Sequence, residues 1–236
     1  MDGLTFYKSQ DGYLIRTKGG VSKSRIMKDP AFKRTRENLS EFGLNAKTGK
    51  LIRQSVGVFL NKAKDSKLSS RMLKVMSELK NLDHISVRGE RSAGLGLTTN
   101  EGKGILKGFD FNIRATLQSV LHSPYTLETA TGKIEIQDFN PSEQLSIPDG
   151  ATHVQLECGM AIIDFETGRF ENSFSNTETL AISNLVTTVQ LIPESVPTSH
   201  GIQIHFLLVE FIQEVNSAFY PLHNGAFNAL CIVAVV

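Results

Sequence analysis

Six histidines, two cysteines and a scatter of carboxylates are the residues of this chain that could hold a metal or move a proton. Their spacing argues against both uses. The closest histidines, His200 and His205, stand five residues apart, which on a strand puts them on opposite faces and makes a poor metal clamp. Cys158 and Cys231 each lie inside an apolar, strand-like run, 156–163 and 229–236. They read as buried free thiols packed as small hydrophobes, with no disulfide framework and no zinc spacing. Asp164-Phe165-Glu166 sets two carboxylates on one strand face, yet no partner motif accompanies them, and a solvated edge or turn accounts for them. No nucleophile-elbow motif supports a Ser/His/Asp site. The glycine-rich stretch 94–104 invites a phosphate-loop reading that fails. The glycine before Gly102-Lys103 is one residue too far away, and Gly104 replaces the Ser or Thr that would hold magnesium. Lys18-Gly19-Gly20 offers an anion nest or, more simply, a turn. The sequence therefore assigns no enzyme activity, no cofactor and no small-molecule ligand.

Charge is more informative. The net formal charge is only +1, but residues 1–108 carry 22 Lys+Arg against 10 Asp+Glu, and residues 109–236 carry 3 against 14. The two parts thus hold +12 and −11. Such a split suits polyanion binding, contact between copies, or neutralisation of the two parts within one subunit. The basic residues concentrate in 23–53. Lys23, Arg25, Lys33, Arg34, Arg36, Lys47, Lys50 and Arg53 form a candidate interaction face. Arg34, Glu37 and Glu41 are spaced to pair along a helix. Nucleic acid is a candidate partner on charge alone, though no nucleic-acid fold motif is present.

The elements that must position these residues divide at the same place as the charge. Thr5–Lys8 and Tyr13–Thr17 flank Asp11-Gly12, a strong hairpin signal. Asp29-Pro30 is a helix start, with Phe32, Leu39 and Phe42 on one face and Gly43 as a C-cap. Further helical patterns run over 45–60 and 66–80, the last with Leu68, Met72, Val75, Met76 and Leu79 at helical spacing. Residues 89–108 contain six glycines and read as a linker. Beyond them the pattern alternates, with strands expected at 109–115, 133–139, 153–158, 160–165, 179–183, 187–192, 202–214, 218–222 and 228–236. The expected fold is α+β: a β-hairpin and about three helices (1–88), a linker (89–108), then an antiparallel β-sandwich or barrel (109–236).

The block Phe6–Leu14, Lys18–Val21, Asp29–Phe32, Arg34–Asn38, Glu41–Gly43 and Gly49-Lys50 resembles an uncharacterised family of short Bacteroidota proteins. A second block, Gln213–Asn216, Tyr220–Leu222 and Asn224–Leu230, is similar to that family's C-terminal end. The resemblance implies a bacterial origin and no known activity. No leader sequence and no run of about 18 apolar residues is present, so the chain reads as a cytoplasmic protein outside the membrane, with release by lysis or signal-less secretion also compatible. The charge split and an apolar C-terminus without a polar tail lead to one expectation. This is a non-enzymatic structural subunit that assembles with itself into a filament, tube or shell, with nucleic-acid binding through the basic part as the alternative.

Overall fold

The computed structural model describes residues 4–9, 12–17, 20–222 and 225–236. The centre of the hairpin turn (Gln10-Asp11), the Lys18-Gly19 part of the anion-nest motif, and His223 lie outside the described residues.

Strands β1 (Leu4–Ser9) and β2 (Gly12–Thr17) pair antiparallel with Phe6 opposite Ile15 and Tyr7 opposite Leu14. None of the ribbon's described side chains is buried. Gly12 closes the ladder opposite Ser9 at φ +116°, a conformation that β-branched residues resist. Gly12→Val should therefore weaken the ribbon by about 1–2 kcal/mol. Amide exchange across 13–17 should quicken by roughly tenfold, while the global melting temperature stays where it is. Unchanged exchange would show that the turn tolerates a Cβ.

A short helix α1 (Lys23–Lys28) follows, and Asp29 caps the next turn by accepting from the Ala31 amide. Helix α2 (Lys33–Ser55) then runs unbroken for 23 residues. The expected stop at Gly43 is absent, and the two helices read from the sequence are one. Its buried face is Glu41, Asn45, Thr48, Gly49, Ile52 and Ser55, against which α4 (Leu68–Leu79) packs Met72 and Met76. The expected apolar face points outward instead, with Leu39 and Phe42 both more than half exposed. Tertiary packing of a mostly polar face holds this helix, where apolar periodicity predicted otherwise. Between α2 and α4 lies the single turn α3 (Gly57–Leu60).

The segment 89–108 is packed structure, which corrects its reading as a linker. It forms α5 (Ala93–Gly96), capped by Ser92, and α6 (Asn100–Leu106), capped by Thr99. Ala93, Leu97 and Leu106 are fully buried. Glycine serves close approach here. A Cβ on Gly96 would come within 2.0 Å of the Leu79 carbonyl oxygen.

Among the described residues the remainder is mainly antiparallel β, with the short α-helix α7 (Leu117–Val120). Its strands are β3 (Thr126–Leu127), β4 (Ile134–Phe139), β5 (His153–Asp164), β6 (Arg169–Phe174), β7 (Glu178–Ala181), β8 (Thr187–Leu191), β9 (Ile202–Val215), β10 (Ala218–Pro221) and β11 (Ala229–Val235). One sheet runs β10-β9-β5-β6, with β11 also on β9 and β7 also on β5; a second runs β3-β4-β8. The two strands expected at 153–158 and 160–165 are one strand, β5, through Gly159. The strand expected at 109–115 is reduced to a bridge between Asp110 and Cys231.

The large sheet is buried on both faces and divides two cores. On one face Ala161, Ile163, Ile204, Phe206, Leu208, Leu230 and Ile232 meet Ile52, Phe59, Met72, Met76 and Leu106 of the helices. On the other, Val154, Leu156, Cys158, Leu207, Val209 and Phe211 meet Ile134, Ile136, Phe139, Val189 and Leu191 of the small sheet. The α+β class and the facing antiparallel sheets are as expected. The first core, however, draws on all three expected segments, 1–88, 89–108 and 109–236.

Candidate functional site

The eight basic residues do not form one face. At about 100° per residue along α2, Lys33, Arg36, Lys47 and Lys50 share one flank, whereas Arg34 and Arg53 leave it. Arg36 is committed within the chain: its Nη1 donates to the Ile26 and Asp29 carbonyls at 2.7 and 2.9 Å and fastens α1 to α2. Arg25 pairs with Asp29 at 3.2 Å and sits over the Phe32 ring. Arg53 is partly buried beside α4, and burial lowers its pKa. No ion pair among the described residues engages Lys23, Lys33, Arg34, Lys47 or Lys50. The pairing of Arg34 with Glu37 and Glu41 does not form. Glu37 turns to Arg88, and Glu41 is buried among Lys80, Arg91 and the Gly89 amide. The Arg91 hydrogen bonds lead in holding the Glu41 carboxyl down to about 2, against the opposing effect of its burial. This cluster ties 89–91 to α2.

Lys47 and Lys50 instead stand on one wall of a cleft of about 960 Å3. Leu44, Leu51, Leu95, Ile163, Phe165 and Ile202 give it an apolar floor. The opposite rim is the β5–β6 turn, where Asp164 accepts from the Glu166 and Thr167 amides and from the Thr167 hydroxyl, and Glu166 is left open to solvent. These are the two carboxylates the sequence singled out, and a turn is where they lie.

The ribbon is the second exposed feature. One face carries Leu4, Phe6, Tyr13 and Ile15, the other Tyr7 and Leu14, all between 42% and 81% exposed. Cross-strand cation–π contacts brace it, Lys8 over Tyr13 and Arg16 over Tyr7.

Inside the molecule, ion pairs join the basic and acidic parts only at Lys62 among the described residues. Its Nζ lies 2.5 Å from Glu157 Oε1 and 3.0 Å from Glu210 Oε2, the second without hydrogen-bond geometry. Burial alone would lower Lys62, but the two carboxylates outweigh it and its pKa is raised. A charged residue inside an apolar strand run was the available signal for this cluster, and the sequence reading did not use it. Arg71 makes a further joint, donating to the Asp110 and Phe111 carbonyls.

The thiols are inert. Burial pushes Cys158 up to about 11 and Cys231 higher still, so neither is a thiolate at neutral pH. His205 is fully buried, and burial lowers it to about 4. Among the described residues no group of His, Cys, Asp and Glu is placed to hold a metal ion, and no helix is long and apolar enough to cross a membrane. Comparison with models of protein families, with curated proteins and with solved structures finds no match to this chain.

Proposed function

We propose that this chain is a non-enzymatic structural subunit that assembles with copies of itself through its N-terminal ribbon and its oppositely charged parts. The observation that carries the reading is the ribbon. Six apolar or aromatic residues stand exposed on a two-stranded hairpin, and such a hairpin is marginal in water on its own. Its three aromatic residues, Phe6, Tyr7 and Tyr13, are 71%, 43% and 81% exposed, and burying those parts of the about 150–250 Å2 each can offer, with the aliphatics, supplies much of the roughly 800 Å2 per partner of a stable interface. The unpaired cations on α1 and α2 supply the charge that an acidic neighbour would meet.

Light scattering across a salt series, with absorbance at 260 and 280 nm on the same sample, tests this. Particles well above the 26.0 kDa chain mass are expected, forming more slowly as salt rises because exposed charges are screened over about 8 Å at physiological salt. The variant Phe6→Glu/Ile15→Glu should raise the concentration for half-assembly at least tenfold without changing the far-UV spectrum. The unpaired Lys23, Lys33 and Arg34 favour nucleic acid as the second reading. It would give particles rich in 260 nm absorbance and a steep loss of affinity with salt. A salt-insensitive monomer free of nucleic acid overturns both readings and leaves the charges neutralised within one subunit.

A further inference from the structure

We infer that the cleft between α2 and the β5–β6 turn is the seat of the ribbon of a second copy. This rests on the assembly reading and names its contact. Three observations favour it. The cleft has an apolar floor, and the ribbon's apolar side chains Leu4, Phe6, Tyr7, Tyr13, Leu14 and Ile15 are exposed. Their lengths agree. Six residues of strand span about 20 Å, and the α2 wall from Leu44 to Gln54 rises about 15 Å. Their charges agree at one rim, where Glu166 is open to solvent and the ribbon offers Lys8 and Arg16.

The occupant is another copy's ribbon. The same chain's ribbon, set apart from α2 by α1 and the turn at Pro30–Phe32, does not fill the cleft: no described ribbon residue lines it, and the ribbon's apolar side chains stay exposed. A ribbon-to-cleft contact is head-to-tail, with different surfaces on the two copies. Such contacts generate rings when they close and filaments when they do not.

The test uses the full chain with one added thiol, Tyr13→Cys in the ribbon or Leu95→Cys in the cleft. The native Cys158 and Cys231 are buried and do not compete. The two variants are mixed and treated with a short bis-maleimide. A covalent heterodimer is expected from this mixture and not from Tyr13→Cys mixed with Ile85→Cys, whose thiol sits at an exposed site outside the cleft. Leu95→Arg should raise the concentration for half-assembly at least tenfold. Assembly that persists with no Tyr13–Leu95 cross-link overturns the seat and leaves the assembly reading standing. A cross-link formed within one chain of the double variant Tyr13→Cys/Leu95→Cys overturns the second copy as occupant. A monomer whose cleft retains a small molecule in native mass spectrometry overturns both.

Discussion

A chain ending at Asn228 should fail to fold into soluble protein. The deletion removes β11, which pairs with β9 from Ala229 opposite Val209 to Val235 opposite Ile204. Its side chains feed both cores. Leu230 and Ile232 pack toward the helices, and Ala229, Cys231 and Val233 toward the small sheet. Leu230 and Ile232 are fully buried and Val233 is 7% exposed. At about 1.5–3 kcal/mol for each buried aliphatic, these three alone are worth about 5–9 kcal/mol, within the 5–15 kcal/mol of a whole domain's stability. The loss goes further, because β11 also holds 108–111 in place: the Gly108 and Phe111 amides donate to the Ile232 and Leu230 carbonyls. Without the strand, β9 loses one of its two partners along 204–209 and keeps only β5. Soluble expression and thermal melting of the truncated chain check this. A soluble product melting at the wild-type temperature would show that β11 contributes little.

The strands were the legible part of the sequence. Alternation bounded by Pro and Gly marked β4, β7, β8, β9, β10 and β11, and Asp11-Gly12 marked the ribbon. Strand β6 was not seen because Arg-Phe-Glu-Asn-Ser-Phe has no apolar face to advertise; its first three residues are exposed. The helical layer was less legible for a related reason. A helix whose buried face is Glu41, Asn45, Thr48 and Gly49 hides its periodicity, and the apolar residues that do show it, Leu39 and Phe42, face solvent. The glycines of 89–108 signalled flexibility where the fold uses them for close approach. Of the cleft, the sequence singled out Lys47, Lys50, Asp164 and Glu166 but not their company. Lys47 and Lys50 were grouped with Arg36, which is committed to carbonyls of its own segment, and not with Asp164 and Glu166 across the cleft. Contacts between residues more than a hundred positions apart leave no local pattern.

The charge split itself has a single ionic joint among the described residues, and it should be costly to break. In Lys62→Met the methylene stem is roughly kept, but Glu157 and Glu210 lose their cation while only 7% and 5% exposed. Removing one partner of a buried pair costs about 3–5 kcal/mol, which for a chain of this size lowers the melting temperature by roughly 6–20 °C. Two buried carboxylates lie on neighbouring strands, Glu157 opposite Leu208 and Glu210 opposite Gln155, and without Lys62 they repel. In the wild type Lys62 is raised by them, so its contribution is fully present at neutral pH and is lost only as pH rises past the raised lysine value. Adding Glu157→Gln and Glu210→Gln to Lys62→Met should recover most of the lost stability. Melting curves at neutral pH for the wild type and the single and triple variants check this. A single variant that melts like wild type would mean water already solvates the two carboxylates. The basic and acidic parts would then be held together by their shared apolar core and by hydrogen bonds such as those of Arg71.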